Sequence, residues 1–232
     1  MPWRVRDAAL IFALGLGVAA LFLVGAQEVY ALQGGLQGAP AQPPAGLAMA
    51  TTILFYLGIL LGLWLLVVRR RGVRWRDLGL VMPRSASVLP VLLLTLLFVI
   101  GSTLILVAAT LVVEAPGSPV SIALEDSVPL AGPIPIVAAI LTSLLLAPFA
   151  EELFFRGVLY QALRQRTGNV LATAGSALLF TLVHARSTMA PEALLLGVVL
   201  AMMFERTDSL YPSMCLHTLY NGAILLLAPH LA

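Results

Sequence analysis

The chain has 232 residues, 60% of them hydrophobic and 10% charged, with a formal net charge of +2 and a mean hydropathy of +1.01. A soluble domain carries about 25% charged residues, so this composition excludes a water-soluble globular protein, and so small a net charge gives no footing for nucleic-acid binding. A single cysteine, Cys215, excludes an intrachain disulfide and says nothing about redox compartment.

Hydropathy predicts an all-α, polytopic integral membrane bundle of about seven spans, at about 8–27, 47–68, 88–113, 133–155, 169–185, 190–205 and 210–228. These form one membrane domain over 1–232, with N-terminal helices in 8–113. Arg4 and Arg6, an apolar run and Val24-Gly25-Ala26 have the outline of a signal peptide, but the run is long for one and is expected to stay as the first helix. Gln33–Gly46, rich in Gly, Pro and Gln, reads as a loop. Residues 69–87 open on three arginines and hold Trp75, Leu78 and Leu80, the pattern of a brief amphipathic piece at the interface. Glu114–Gly132 reads as a second loop.

With the N-terminus cytoplasmic, twelve of the 13 basic residues, all arginine, fall on the cytoplasmic side and only Arg186 outside. That bias orients the chain, and Glu28, Glu114, Glu125 and Asp126 lie on the exterior loops. The setting implied is an integral protein of a bacterial cytoplasmic membrane, with the lipid bilayer as its first partner.

The fourth span carries two adjacent carboxylates, Glu151 and Glu152, where the chain is crossing the membrane. An ionisable group there costs at least about 2.5–3.5 kcal/mol and marks function by default. Pro148, three residues earlier, predicts a kink and a freed backbone carbonyl. The helix then turns polar and stops at Thr167-Gly168-Asn169. Glu151 lies 17 residues before Gly168 and His184 lies 16 after it, so an antiparallel pair joined there brings both to one height. His217 lies nine residues beyond Asp208, in the next turn on the same side, at a similar depth of about 13 Å. An intramembrane polar cavity open to the cytoplasm is therefore expected.

Within helices, Glu152 and Arg156 are i,i+4 neighbours, as are Phe180 and His184, and His217 and Asn221. Glu151 points about 100° away from Glu152, so the simplest division pairs Glu152 with Arg156 and turns Glu151 to the cavity. Each element has a plainer reading: Glu152–Arg156 as a structural ion pair, either histidine as a packing residue, and Asn221 as interhelical glue. Glu205 and Asp208, flanking Arg206, read as solvated. The chain has no His-Glu-x-x-His, no Gly-x-Ser-x-Gly and no phosphate-binding glycine loop.

Glu151-Glu152-Leu153-Phe154-Phe155-Arg156-Gly157, Phe180–His184 and His217–Asn221 match, in order, E-E-x-x-x-R, F-x-x-x-H and H-x-x-x-N. In these motifs the chain resembles the CPBP family, which includes the CAAX prenyl endopeptidases and relatives linked to bacteriocin self-immunity. The likeness covers about 133–228; the earlier helices match in hydropathy alone. It implies a glutamate-dependent intramembrane endopeptidase without a cofactor, acting on a membrane-associated peptide or protein. By that resemblance Glu151 and His184 activate water, His217 and Asn221 hold the oxyanion, and Glu152, Arg156 and Phe180 support the site or orient the substrate. Two alternatives stay open: a zinc metallopeptidase with Glu151, His184 and His217 as ligands, and a non-enzymatic immunity or transport protein.

Overall fold

A computed structural model describes residues 2–37, 45–83, 89–90, 93–94, 96–98, 100–101, 104, 133–184 and 190–231. Among the described residues there is no strand, and the molecule is an all-α bundle. Helix α1 is Val5–Gln37 and α2 is Ala45–Leu63, continued by a π turn over Trp64–Arg69. After a short 3-10 turn at Trp75–Leu78 come α3 (Pro133–Leu141), a π turn (Thr142–Leu146), α4 (Ala147–Glu152) and a π segment (Leu153–Tyr160). Helices α5 (Gln161–Val183), α6 (Ala190–Thr207) and α7 (Leu210–Leu231) complete the order. The expected third span, 88–113, falls largely outside the described residues.

Three stretches among those described are long and apolar enough to cross a membrane: Val5–Glu28, Gly46–Arg69 and Ile136–Val183. The last runs for 48 residues, twice what one crossing needs, and is broken at Gly168. There φ is 76° and ψ is 177°, a region open in practice only to glycine, so α5 is two helical pieces meeting at the predicted turn. Helices α6 and α7 occupy the expected sixth and seventh spans.

The second half of α5 is apolar all round, and size decides which side faces in. Ala172, Ser176, Ala177 and Phe180 are buried, whereas Leu171, Leu178, Leu179 and Leu182 are exposed. Small residues inside let neighbouring backbones approach, while leucines lie against lipid tails. At Gly197 of α6 a Cβ would stand 3.0 Å from the Ala177 Cα, so this crossing has no room for a side chain.

One end of the bundle is tied together by polar contacts. The Trp3 indole donates to the Val158 carbonyl at 3.1 Å, fastening the residues before α1 to the π segment. Arg71, just past α2, pairs with Asp7 of α1 at 2.9 Å. The 3-10 turn docks on the α6–α7 junction: Leu78 is fully buried, the Leu210 N–H donates to the Gly79 carbonyl at 2.8 Å, and the Ser209 hydroxyl donates to the Val81 carbonyl. The interfacial segment thus has a buried inner face, and Trp75 and Arg76 on its exposed one. Beside them the Arg74 guanidinium donates to Asp77 and holds its carboxyl below the usual range, a local tie in open solvent.

Glu205 departs from the solvated role its sequence position suggests. Tyr160, Arg164 and Asn169 all donate to it, at 2.7, 2.6 and 2.6 Å. The turn at Gly168 brings Asn169 back over α6, which linear spacing does not reveal. Asp208 is exposed, with a left-handed φ of 49° that closes the turn into α7.

Candidate active site

Pro148 has no N–H to give the Leu144 carbonyl four residues back, and the preceding π turn loosens the ladder further. Helix α7 fills the gap. Thr218 donates its hydroxyl to the Leu144 carbonyl at 2.8 Å, and Asn221 donates an amide N–H to the Ser143 carbonyl at 2.9 Å. Thr218 and Asn221 are i,i+3 on one face, so this double joint sets the register of α7 against the helix that carries both glutamates. His217 is next to Thr218 and is thereby turned toward them.

Glu152 and Arg156 pair at 2.7 Å with both side chains wholly buried. Arg156 also donates to the Gly197 carbonyl at 3.0 Å and lies over the Phe180 ring, 4.9 Å from its centroid. Gly197, which lets α6 approach closely, therefore also brings a carbonyl to the buried guanidinium. Glu152 has a second partner, since its Oε1 is 3.1 Å from Nδ1 of His217. A carboxylate accepts there, so Nδ1 of His217 carries a proton. The pair is structural in form, and it also fixes a histidine.

Glu151 faces the other way. Its Oε2 lies 3.8 Å from Nε2 of His184 and 3.8 Å from Nε2 of His217, and makes no hydrogen bond of its own among the described residues. Nδ1 of His184 is 2.8 Å from the Phe180 carbonyl, which again demands an Nδ1 proton. Two imidazoles so anchored turn their Nε2 atoms toward a carboxylate oxygen. A carboxylate oxygen and two imidazole nitrogens around one point make a place for water, which both donates and accepts. Side-chain exposure is 6% for Glu151, 3% for His217 and 33% for His184, so the approach is from the His184 side.

Phe180 holds the group together from behind. Its ring lies 4.4 Å from that of His184, 5.7 Å from that of His217 and 5.2 Å from that of Phe155. Glu151, His184 and His217 meet as the residue spacing predicts. Among the described residues Asn221 does not pair with His217: one of its two amide N–H groups serves the joint to Ser143.

Tyr56 of α2 was not legible as part of this group. Its hydroxyl donates to Oε1 of Glu151 at 2.5 Å. The one available signal is a polar-tipped aromatic in the middle of an apolar span, and packing alone would explain that as well.

The zinc alternative can be tested on these distances. Tetrahedral zinc with N and O ligands at about 2.1 Å sets them roughly 3.4 Å apart, closer than the 3.8 Å found here. Among the described residues, no group of three or more His, Cys, Asp or Glu side chains has the arrangement of a metal site.

Residues 133–223 match the family model described as type II CAAX prenyl endopeptidase Rce1-like. No curated protein and no solved structure matches the chain. The matched segment begins at α3 and contains every residue of the cluster except Tyr56.

Proposed function

We propose that the chain, whose residues 133–223 match the CAAX prenyl endopeptidase family model, is a member of that CPBP family and an intramembrane endopeptidase in which Glu151 and His184 activate water. It is an integral membrane protein, and a protease of this family acts on membrane-associated proteins. The observation that carries the finer reading is the equal 3.8 Å separation of the Glu151 carboxylate oxygen from two imidazole Nε2 atoms. That gap is too wide for direct hydrogen bonds and suits a bridging water.

In this reading the water gives one hydrogen bond to Oε2 of Glu151 and the other to Nε2 of His184. Its oxygen attacks the scissile carbonyl carbon as its proton passes to Glu151. The carbonyl oxygen becomes an oxyanion, held by the second amide N–H of Asn221 and by His217 as an imidazolium, which donates from Nε2 while Nδ1 stays on Glu152; one such donor is worth about 2.7–4 kcal/mol. Collapse of the tetrahedral intermediate breaks the C–N bond, and Glu151 returns its proton to the departing amine. The products are a carboxylate and an ammonium group, the acid's remaining proton passing to the amine. Glu152 and Arg156 do no chemistry: they hold His217 by Nδ1 and keep Phe180 in place behind both rings. The arginine-rich end faces the cytoplasm of a bacterial cell. No cofactor is called for.

The test is proteolysis by the purified protein in detergent, on a panel of prenylated and unprenylated membrane peptides, with a strong chelator throughout and Glu151→Ala beside the wild type. Cleavage by the wild type and none by the variant is the expected result. Wild-type activity that the chelator removes and zinc restores would overturn the metal-free reading. Proton flux in liposomes coupled to a small solute, with no peptide cleaved, would point to the transport alternative.

A further inference from the structure

We propose that Tyr56 is a positioning residue of the hydrolytic site, which commits one oxygen of Glu151 to itself and leaves the other for water. The proposal rests on the reading of Glu151 as the base. The Tyr56 hydroxyl donates to Oε1 of Glu151 at 2.5 Å across 95 residues of sequence, from a helix outside the segment that matches the family. A glutamate carboxylate otherwise turns over a broad, roughly two-fold torsion, and its oxygens exchange places. With Oε1 taken by the phenol, the plane is set and Oε2 is the oxygen 3.8 Å from both histidines.

A second observation fixes the phenol itself. The Tyr56 ring packs on Phe55 with centroids 5.4 Å apart, Phe55 on Phe12 at 5.7 Å, and Phe12 on Phe154 at 5.8 Å. Phe154 is three residues past Glu151, so the chain of rings runs from α2 through α1 and back to the helix that carries the base. A donor backed by a chain of three further rings cannot follow the carboxylate if it turns, and so holds it still. The catalytic segment is thus incomplete without α2, although the motifs lie wholly after residue 150.

The experiment compares Tyr56→Phe with the wild type on the same peptide panel, with kcat and KM measured separately and melting in detergent as the fold control. The Phe variant keeps the ring and loses only the donor. Phe55→Leu is the companion, disturbing the ring chain while leaving the phenol in place. Expected for Tyr56→Phe is a roughly 10- to 100-fold fall in kcat, with KM within twofold and melting unchanged. Phe55→Leu, which keeps the donor but loosens its support, should lower kcat by less than Tyr56→Phe does. Wild-type kcat in Tyr56→Phe would overturn the proposal, as would equal losses in both variants, which would mean packing alone. Those outcomes leave the role of Glu151 intact. That role fails separately, if the wild type cleaves no peptide of the panel or if Glu151→Ala cleaves as well as it does.

Discussion

The Thr218 hydroxyl donates to the Leu144 carbonyl, the very carbonyl that Pro148 deprives of its helical partner. One side chain thus repairs a break four residues upstream of a proline and places the neighbouring His217 beside the glutamates. Thr218→Val keeps the shape and removes the donor, stranding a carbonyl among apolar groups. A loss of about 1–3 kcal/mol is expected, read as a lower melting temperature in detergent, with Thr218→Ser restoring it. A Val variant as stable as the wild type would contradict the joint.

Glu152 and Arg156 form a fully buried pair. Losing one partner leaves a lone charge and should cost about 3–5 kcal/mol, whereas an apolar double replacement can be nearly neutral. Glu152→Leu with Arg156→Met should therefore melt above either single variant. It should stay weakly active all the same, because Nδ1 of His217 has lost its acceptor. Recovery of full activity together with stability would show that the pair does not position His217.

Gly197→Ala places a methyl carbon 3.0 Å from the Ala177 Cα, where backbone rather than a flexible side chain must yield. We expect about 1–3 kcal/mol of destabilisation from the overpacked crossing. Activity should fall with it, because the Gly197 carbonyl that Arg156 holds moves away. Unchanged melting would mean that α6 can shift freely against α5.

His184→Ala should lower kcat by roughly 100- to 10,000-fold, the range for a group taking part in proton transfer, with melting little affected because the ring is a third exposed. A variant with wild-type kcat would remove His184 from the chemistry and leave Glu151 acting with His217 alone.

The sequence makes the centre of the site legible because its information is local or symmetric. Glu151 and His184 stand at nearly equal distances from Gly168, a glycine that the backbone there requires, so counting residues brings them to one height. Glu152 and Arg156 are one helical turn apart, and their pairing follows from that spacing. What lies across helices is not written that way. Tyr56 meets Glu151 only because α1 and α2 pack with a particular rotation, which an apolar span without a polar face does not specify. The joint from Asn221 to Ser143 depends on a π turn, and no residue pattern announces one. Glu205 is similar: its three donors converge through the fold at Gly168, while its neighbours in sequence suggest only a solvated helix end.

The most direct measurement is kcat/KM of Glu151→Gln on a peptide that the wild type cleaves. Glutamine keeps the size of the side chain and an oxygen for Tyr56 to bond, but it cannot take a proton from water. The account predicts normal folding and a fall in kcat/KM of roughly 100- to 10,000-fold. A folded Gln variant that cleaves within a few-fold of the wild type would contradict it, and Glu151 would not be the base.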